Sequence, residues 1–375
     1  MNDKINIDDS NIRLLAVGDV MLGDHPVCFG HGVRSTVERF GFQYIFEDVI
    51  KTQLNTDLLF GNLEAMFSQD TQSSGLYDLE MKGKAEYASK LAEVGFNVMS
   101  VSNNHALQHG LDVFENTVSV LKEAGIHPVG ICLNNRSNDY KFEKNGVKIA
   151  VVSYSMRPEK YYKGDIPYAI GHESDILDHI CDLKANHSHV VVSVHWGEEY
   201  VHYPSVDQVR FARKMVDSGA SLIIGHHPHV LQGVEHYNGG YIAYSLGNYV
   251  FDHWQKETRE TLILDCEFGK DRIERFELIP ILIDKSFQPK RLHGKEAERL
   301  RETLETYSKA IPSLAEVVNG DEAMEEYMNG ASKAYKKYRI ESYMYFLRNI
   351  YKYKFSVLVD SMMRFLKRRI NPDHP

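Results

Sequence analysis

HVVVSVHWGEEYVHYPSVDQVRFARKMVDSGASLIIGHHPH, residues 189–229, carries the pattern that decides the fold. It opens on an apolar run, His189 to Val194, that stops at His195-Trp196-Gly197. Helical spacing follows from Val206 to Ser218 and closes with Gly219, the residue type that most readily takes the left-handed turn after a helix. A second apolar run, Ser221 to Ile224, ends at Gly225-His226-His227. Strand, helix, strand in this order is the unit of layered α/β folds. Runs as continuous as VVVSV, without polar alternation, predict sheets buried on both faces.

The same grammar extends in both directions. Upstream, Ile12 to Val17 meets Gly18-Asp19, Leu58 to Phe60 meets Gly61-Asn62, Val98 to Val101 meets Ser102-Asn103-Asn104-His105, and Lys148 to Ser153 is a further strand. Downstream, Tyr241 to Ser245 meets Leu246-Gly247-Asn248. Ala85 to Val94, Leu111 to Ala124 and Asp175 to Asn186 have helical spacing. Nearly every strand therefore hands over to its loop with Gly beside Asp, Asn or His. In α/β sheets ligands gather at the carboxyl ends of strands, so these polar side chains are predicted to form the site.

The donor types narrow the chemistry. Asp19, Glu64, Asn104, His195, His227 and His229 offer hard oxygens and imidazoles, a set suited to one or two divalent ions of Mn, Fe, Zn or Mg. His227-Pro228-His229 presents two imidazoles from one stiff loop. Two ions bridged by a carboxylate, roughly 3.5 to 4 Å apart, clamp the oxygens of an in-line displacement and activate water. His226 is expected to face the core or to stand behind the ligands. Asn103, His109, Arg157, Glu198, Ser245 and Asn248 are candidates for substrate contact, Arg157 because it suits an anionic group. Glu199 is read with Glu198, as a partner for a cationic group or a support behind the ligands. His253 and Trp254 are expected at the rim.

Taken together, GDVMLG (18–23), GNLEAMFS (61–68), SVSNNHALQHG (100–110), HWGEEY (195–200), IIGHHPHVLQGVE (223–235) and YSLGNYVFD (244–252) resemble the calcineurin-like metallophosphoesterase superfamily. Within it they are most similar to the capsule-synthesis branch, the CapA or PgsA type of poly-γ-glutamate synthesis proteins. The resemblance covers roughly residues 10 to 290. It implies a metallophosphoesterase-like α/β sandwich of two central mixed sheets flanked by helices. It also implies that Asp19, Glu64 at the bridging position, Asn104, His195, His227 and His229 bind metal, and that His105 serves the leaving group. Two positions depart from the phosphatase pattern. Met21 stands where that pattern has a histidine, and Ala106 where an acid would orient His105. A metal-dependent hydrolase of phosphoesterase type in capsule or exopolymer synthesis is the leading expectation. An accessory protein that binds poly-γ-glutamate or another anionic polymer, and metal-dependent transfer or amide chemistry on a γ-glutamyl or acyl-sugar substrate, are the alternatives.

Beyond Pro289 the character changes, and a boundary near 290 separates residues 10–290 from a helical extension, 291–375. Gly294 to Tyr307 and Asp321 to Tyr338 read as helices. YMYFLRNIYKYKFSVLVDSMMRFLKRRI (343–370) mixes aromatic, aliphatic and basic residues at helical spacing. It suits a packed cover, a helix on an anionic membrane surface, or a docking site for a partner. The 375 residues are 43% hydrophobic and 25% charged, an ordinary globular composition, and the net charge of -9 argues against a nucleic-acid partner. Four dispersed cysteines read as small buried residues in a reducing compartment. Neither a signal-peptide pattern nor a membrane-spanning run is present, so a cytoplasmic location is expected, with contact at the membrane periphery as a variant.

Overall fold

The computed structural model describes residues 11–69, 80–315, 320–360 and 363. In chain order the strands of its two large sheets are β1 (Ile12–Val20), β2 (Leu58–Leu63), β3 (Val98–Ser100), β4 (His127–Val129), β5 (Tyr140–Lys144), β6 (Val147–Ser155) and β7 (His189–His195). They continue with β8 (Leu222–His226), β9 (Val234–Tyr237), β10 (Gly240–Ala243), β11 (Asn248–Val250), β12 (Glu260–Phe268), β13 (Ile273–Ile283) and β14 (Pro289–Arg291). The longer helices are α1 (Val33–Phe40), α2 (Tyr87–Glu93), α3 (Leu111–Glu123), α4 (Glu173–Lys184), α5 (Val206–Asp217), α6 (Gly294–Ala315) and α7 (Gly320–Arg348).

One sheet has the order β14-β13-β12-β1-β2-β3-β4, with β11 beside the end of β1, and the other has the order β9-β10-β8-β7-β6-β5. Both are mixed. β1 to β4 run parallel while β12 to β14 are antiparallel. β6, β7, β8 and β10 run parallel between antiparallel edges β5 and β9.

The period-2 geometry of a strand sends alternate residues to opposite faces, and the core divides accordingly. Leu14, Ala16, Phe60 and Val98 of the first sheet meet Ile149, Val151, Val191 and Ile224 of the second in one cluster between the sheets. Leu15, Val17, Leu59 and Met99 pack outward against Val33, Val37, Leu91, Phe114 and Leu121 of the first helix layer. Val190, Val192 and Ile223 pack outward against Ile176, Ile180, Ala212 and Met215 of the second. The result is a helix–sheet–sheet–helix sandwich, the layered α/β architecture expected.

One feature of β1 positions the site. Its first half pairs with β12, from Ile12 opposite Phe268 to Ala16 opposite Leu264. The same edge then passes to β11, with Asp19 opposite Asn248. At the exchange the Asp19 amide donates to the Gly247 carbonyl at 3.0 Å. A Cβ on Gly18 would lie 1.9 Å from that oxygen, so only glycine fits there. The strand expected over Tyr241 to Ser245 stops at Ala243, because the chain turns through Gly247 (φ +72°) to reach β1. Gly-Asp in the first loop and Leu-Gly-Asn in the last are thus two sides of one contact.

The helical extension begins at Gly294 and lies on the sandwich. Leu300 and Leu304 of α6 enter the core between the sheets, and Ile311 enters the outer one. The part of the C-terminal run beyond Asp360, Met363 apart, lies outside the described residues. Among those described, no helix is long and apolar enough to cross a membrane. The cysteines divide: Cys28 and Cys266 are buried, but Cys132 is half-buried and Cys181 is exposed on α4, so burial does not account for all four.

Candidate metal centre

Asp19 at the end of β1, Glu64 just past β2, His195 at the end of β7 and His227 and His229 just past β8 converge where the carboxyl ends of both sheets meet. Two triads result. In one, an oxygen or ring nitrogen from each of Asp19, Glu64 and His229 lies within 4.8 Å of the others, and in the second Glu64, His195 and His227 do the same. Glu64 belongs to both. Asn104 joins the second triad through its side-chain oxygen, 2.6 Å from His195 Nε2.

Asp19, Glu64, His195, His227 and His229 are all no more than 3% exposed. Buried polar atoms are nearly always hydrogen-bonded, yet both Glu64 carboxylate oxygens and both His227 ring nitrogens have no such partner among the described residues. Four buried orphan atoms pointing into one cluster of hard oxygens and imidazoles fit a divalent ion. The loop carrying the histidines is held in an uncommon shape, since His227 and His229 have φ of +96° and +57°. Strain of this kind persists where surrounding structure fixes it and clusters at functional sites.

Further side chains fix the cluster from behind. Asn62 donates to Asp19 Oδ1 at 2.8 Å and lies 3.4 Å from His195 Nδ1. His226 Nδ1 is 3.1 Å from the same Asp19 oxygen, the supporting place expected for it. Asn248 Oδ1 is 2.9 Å from His229 Nδ1. His105 Nε2 lies 3.8 Å from Glu64, and its Nδ1 is 2.7 Å from Gln108 Oε1. Gln108 Nε2 in turn donates to Glu80 at 2.9 Å.

The electrostatics follow from burial. Burial alone raises Asp19, but the hydrogen bond from His226 and the neighbouring imidazoles outweigh it and hold the carboxyl well below its usual range. Burial, then the charges of Asp19 and Glu199, push Glu64 well above the carboxylate range. Burial drives His195 and His227 well below the ordinary imidazole value, and lowers His105 to about 4 against the raising effect of Gln108. His195, His227 and His105 are therefore neutral at pH 7, the form that ligates metal, and a cation bound among them would hold Glu64 ionised.

Several candidates for substrate contact are turned to the protein instead. The Ser245 hydroxyl donates to Val230 O at 2.8 Å and accepts from Gly247 N, so it shapes the turn. Asn248 holds His229 and the Thr258 carbonyl. Asn103 donates to Leu63 O at 2.8 Å and accepts from the His105 amide. His109 sits 2.8 Å from the Glu80 carbonyl. Arg157 binds Glu198 and the Gly197 carbonyl, each at 2.6 Å, which neutralises the pair as a substrate clamp. His253 does border the site, and Trp254 stacks under α7 at 4.4 Å from Tyr345.

Sequence reasoning missed Asn62, Gln108 and the aromatic face of α7. Asn62 and Glu64 are two apart, a spacing that puts both on one strand face, so that signal was available. The α7 contact had none nearby: Tyr338 stacks on Tyr200 at 4.1 Å, and its hydroxyl lies 3.2 Å from His25 Nε2, 313 residues away in sequence.

Comparison with known proteins identifies the family. Residues 13–253 match the family described as bacterial capsule synthesis protein PGA_cap. The capsule biosynthesis protein CapA of Bacillus anthracis is 31% identical over 293 residues, covering 74% of this chain and 69% of that protein. The PGA biosynthesis protein CapA of Bacillus subtilis (strain 168) is 31% identical over 277 residues, covering 72% and 71%. Among solved structures, 5'-nucleotidase from Candida albicans SC5314 is 11% identical, with a TM-score of 0.42 over 82% of this chain and 60% of that one. The match over 13–253, with two relatives above 30% identity across most of both chains, places this chain in the bacterial capsule synthesis protein family PGA_cap.

Proposed function

We propose that this chain is a divalent-metal hydrolase of phosphoesterase type that works in capsule or exopolymer synthesis, with poly-γ-glutamate as the expected polymer and PGA the one named for its Bacillus subtilis relative. The observation that carries the reading is Glu64, wholly buried, shared by two donor triads, with neither carboxylate oxygen hydrogen-bonded to a described residue. Asp19, Glu64 and His229 would hold one ion, and Glu64, Asn104, His195 and His227 the other. Ions so held supply charge neutralisation and an activated water at neutral pH.

The chain's own residues then have definite tasks. Asn62, His226 and Asn248 fix the rotamers of Asp19, His195 and His229, so the donors do not reorganise as charge develops. Because the Gln108 amide nitrogen donates to Glu80, its oxygen faces His105 and accepts from Nδ1–H. His105 Nε2 is thereby left with its lone pair toward the site. It would take a proton from the attacking water and return it to the leaving oxygen. The burial of the donors excludes bulk water and strengthens every charge interaction inside.

The test is metal content of the purified protein by mass spectrometry, beside His227→Ala/His229→Ala. One or two equivalents in the wild type, lost in the variant, with manganese-dependent hydrolysis of 4-nitrophenyl phosphate, supports the proposal. No metal after reconstitution with manganese, zinc or iron sinks it. Metal without hydrolysis, together with tight poly-γ-glutamate binding, transfers the site to the polymer-binding alternative.

A further inference from the structure

We propose that Glu199 is a metal-contacting carboxylate that replaces the histidine absent at Met21, an inference that rests on the metal-centre reading above. Met21 does not offer its sulfur to the cluster. It is wholly buried against Ala65, Met81 and Phe251, and its Sδ accepts the Gly23 amide at 3.1 Å. A thioether is in any case a poor donor to a hard dication. Asp19, Glu64 and His229 alone therefore serve the first position from the strand ends.

Glu199 comes from the 196–200 loop. One of its carboxylate oxygens and a ring nitrogen from each of His227 and His229 lie within 4.8 Å of one another. His227 belongs to one triad and His229 to the other, so this carboxylate lies beside one histidine of each. The backbone places it there. The Trp196 amide donates to His226 O at 3.1 Å and the Tyr200 amide to Pro228 O at 2.8 Å, which fastens the 196–200 loop to the histidine loop. Gly197 (φ +79°) and Tyr200 (φ +65°) then turn the chain between these two points. Glu198 leaves toward Arg157, and Glu199 remains toward the histidines. Glu199 is half-buried, while both ring nitrogens of the His227 it faces are buried and have no hydrogen-bond partner among the described residues.

Charge supports the same assignment. Asp19 and Glu64 bring two negative charges to two divalent ions, and Glu199 brings a third. The remaining single positive charge suits an anionic ester better than a more cationic centre would. An added oxygen donor in place of an imidazole also shifts preference toward harder ions such as manganese or magnesium.

The experiment is Mn(II) binding to the metal-stripped full chain, read as free manganese by electron paramagnetic resonance. Wild type, Glu199→Gln and Glu198→Gln are compared, with circular dichroism of each metal-free form as the folding control. The expected result is two equivalents in the wild type, with at least one dissociation constant raised by about tenfold or more in Glu199→Gln. Glu198→Gln, which removes the same charge one residue away, leaves both constants unchanged. Glu199→Gln binding manganese as the wild type does, at either stoichiometry, overturns the inference and leaves the metal centre standing. A wild type that binds no metal overturns both.

Discussion

Gln108 shows how one residue can take over a task from another place in the chain. Ala106, at the position of the orienting acid in the phosphatase pattern, is wholly buried in the outer core and has no polar atom to give. Gln108, two residues on, reaches His105 Nδ1 and is itself held by Glu80. A neutral amide orients the ring as an acid would but does not stabilise its charged form as strongly. Burial lowers His105 to about 4 against the raising effect of Gln108, which leaves it a proton acceptor at rest. Replacing Gln108 with Leu removes the acceptor and frees the ring to flip. Turnover of an aryl phosphate is expected to fall by at least about tenfold, within the range typical of proton-transfer groups, while bound metal stays constant. Equal turnover in Gln108→Leu would remove His105 orientation from the account.

At the scale of elements, α7 packs against residues that border the site. Tyr327, Tyr338 and Tyr345 recur at intervals of eleven and seven residues, so they share one helix stripe. Tyr327 accepts the Glu198 amide at 3.0 Å, Tyr338 stacks on Tyr200 at 4.1 Å, and Tyr345 stacks on Trp254 at 4.4 Å. The opposite side leaves Lys336, Lys337, Ile340 and Leu347 exposed. Tyr338→Ala/Tyr345→Ala should undock the helix. Stripping of bound metal by a chelator is then expected to speed up about tenfold or more, with faster tryptic cleavage near Lys336 and Lys337. An unchanged stripping rate would mean that α7 is no barrier to the site.

These elements also mark how far the sequence could be read. The donors of the centre announced themselves because each sits where an apolar strand meets its loop, a local pattern. Gln108 and Tyr338 did not, since their contacts depend on which loop or helix folds back against the strand ends, and Glu199 was legible only together with Glu198, as a partner for a cationic group or a support behind the ligands. Ser245 and Asn248 illustrate the converse: a polar motif at a strand end can be there to seat another strand, as the Asp19–Asn248 register shows.

Over the whole molecule, burial of so many histidines makes the metal-free fold acid-sensitive. Burial lowers His25 to about 3 and His31 and His105 to about 4, and it drives His195, His227 and His253 well below the ordinary imidazole value. All six are neutral in the folded state at pH 5.5, whereas in the unfolded chain they protonate below about 6.5. Each therefore contributes stability that is complete above pH 6.5 and is lost as pH falls toward the folded value. Glu64, Asp252 and Asp24 act oppositely, because burial raises them and the folded state holds protons that the unfolded chain releases. Burial also lowers His127, His179, His189 and His202, so ten imidazoles stand against three carboxyls among the described residues; the unfolded state binds more protons between about pH 4.5 and 6.5, and stability rises with pH across that window. Each wholly buried histidine contributes a slope of about 1.4 kcal/mol per pH unit at most. Urea unfolding of the chelator-treated protein should show a lower midpoint at pH 5.5 than at pH 7.5. A midpoint equal or higher at pH 5.5 would mean that the buried carboxyls, and not the imidazoles, dominate the proton balance of the fold.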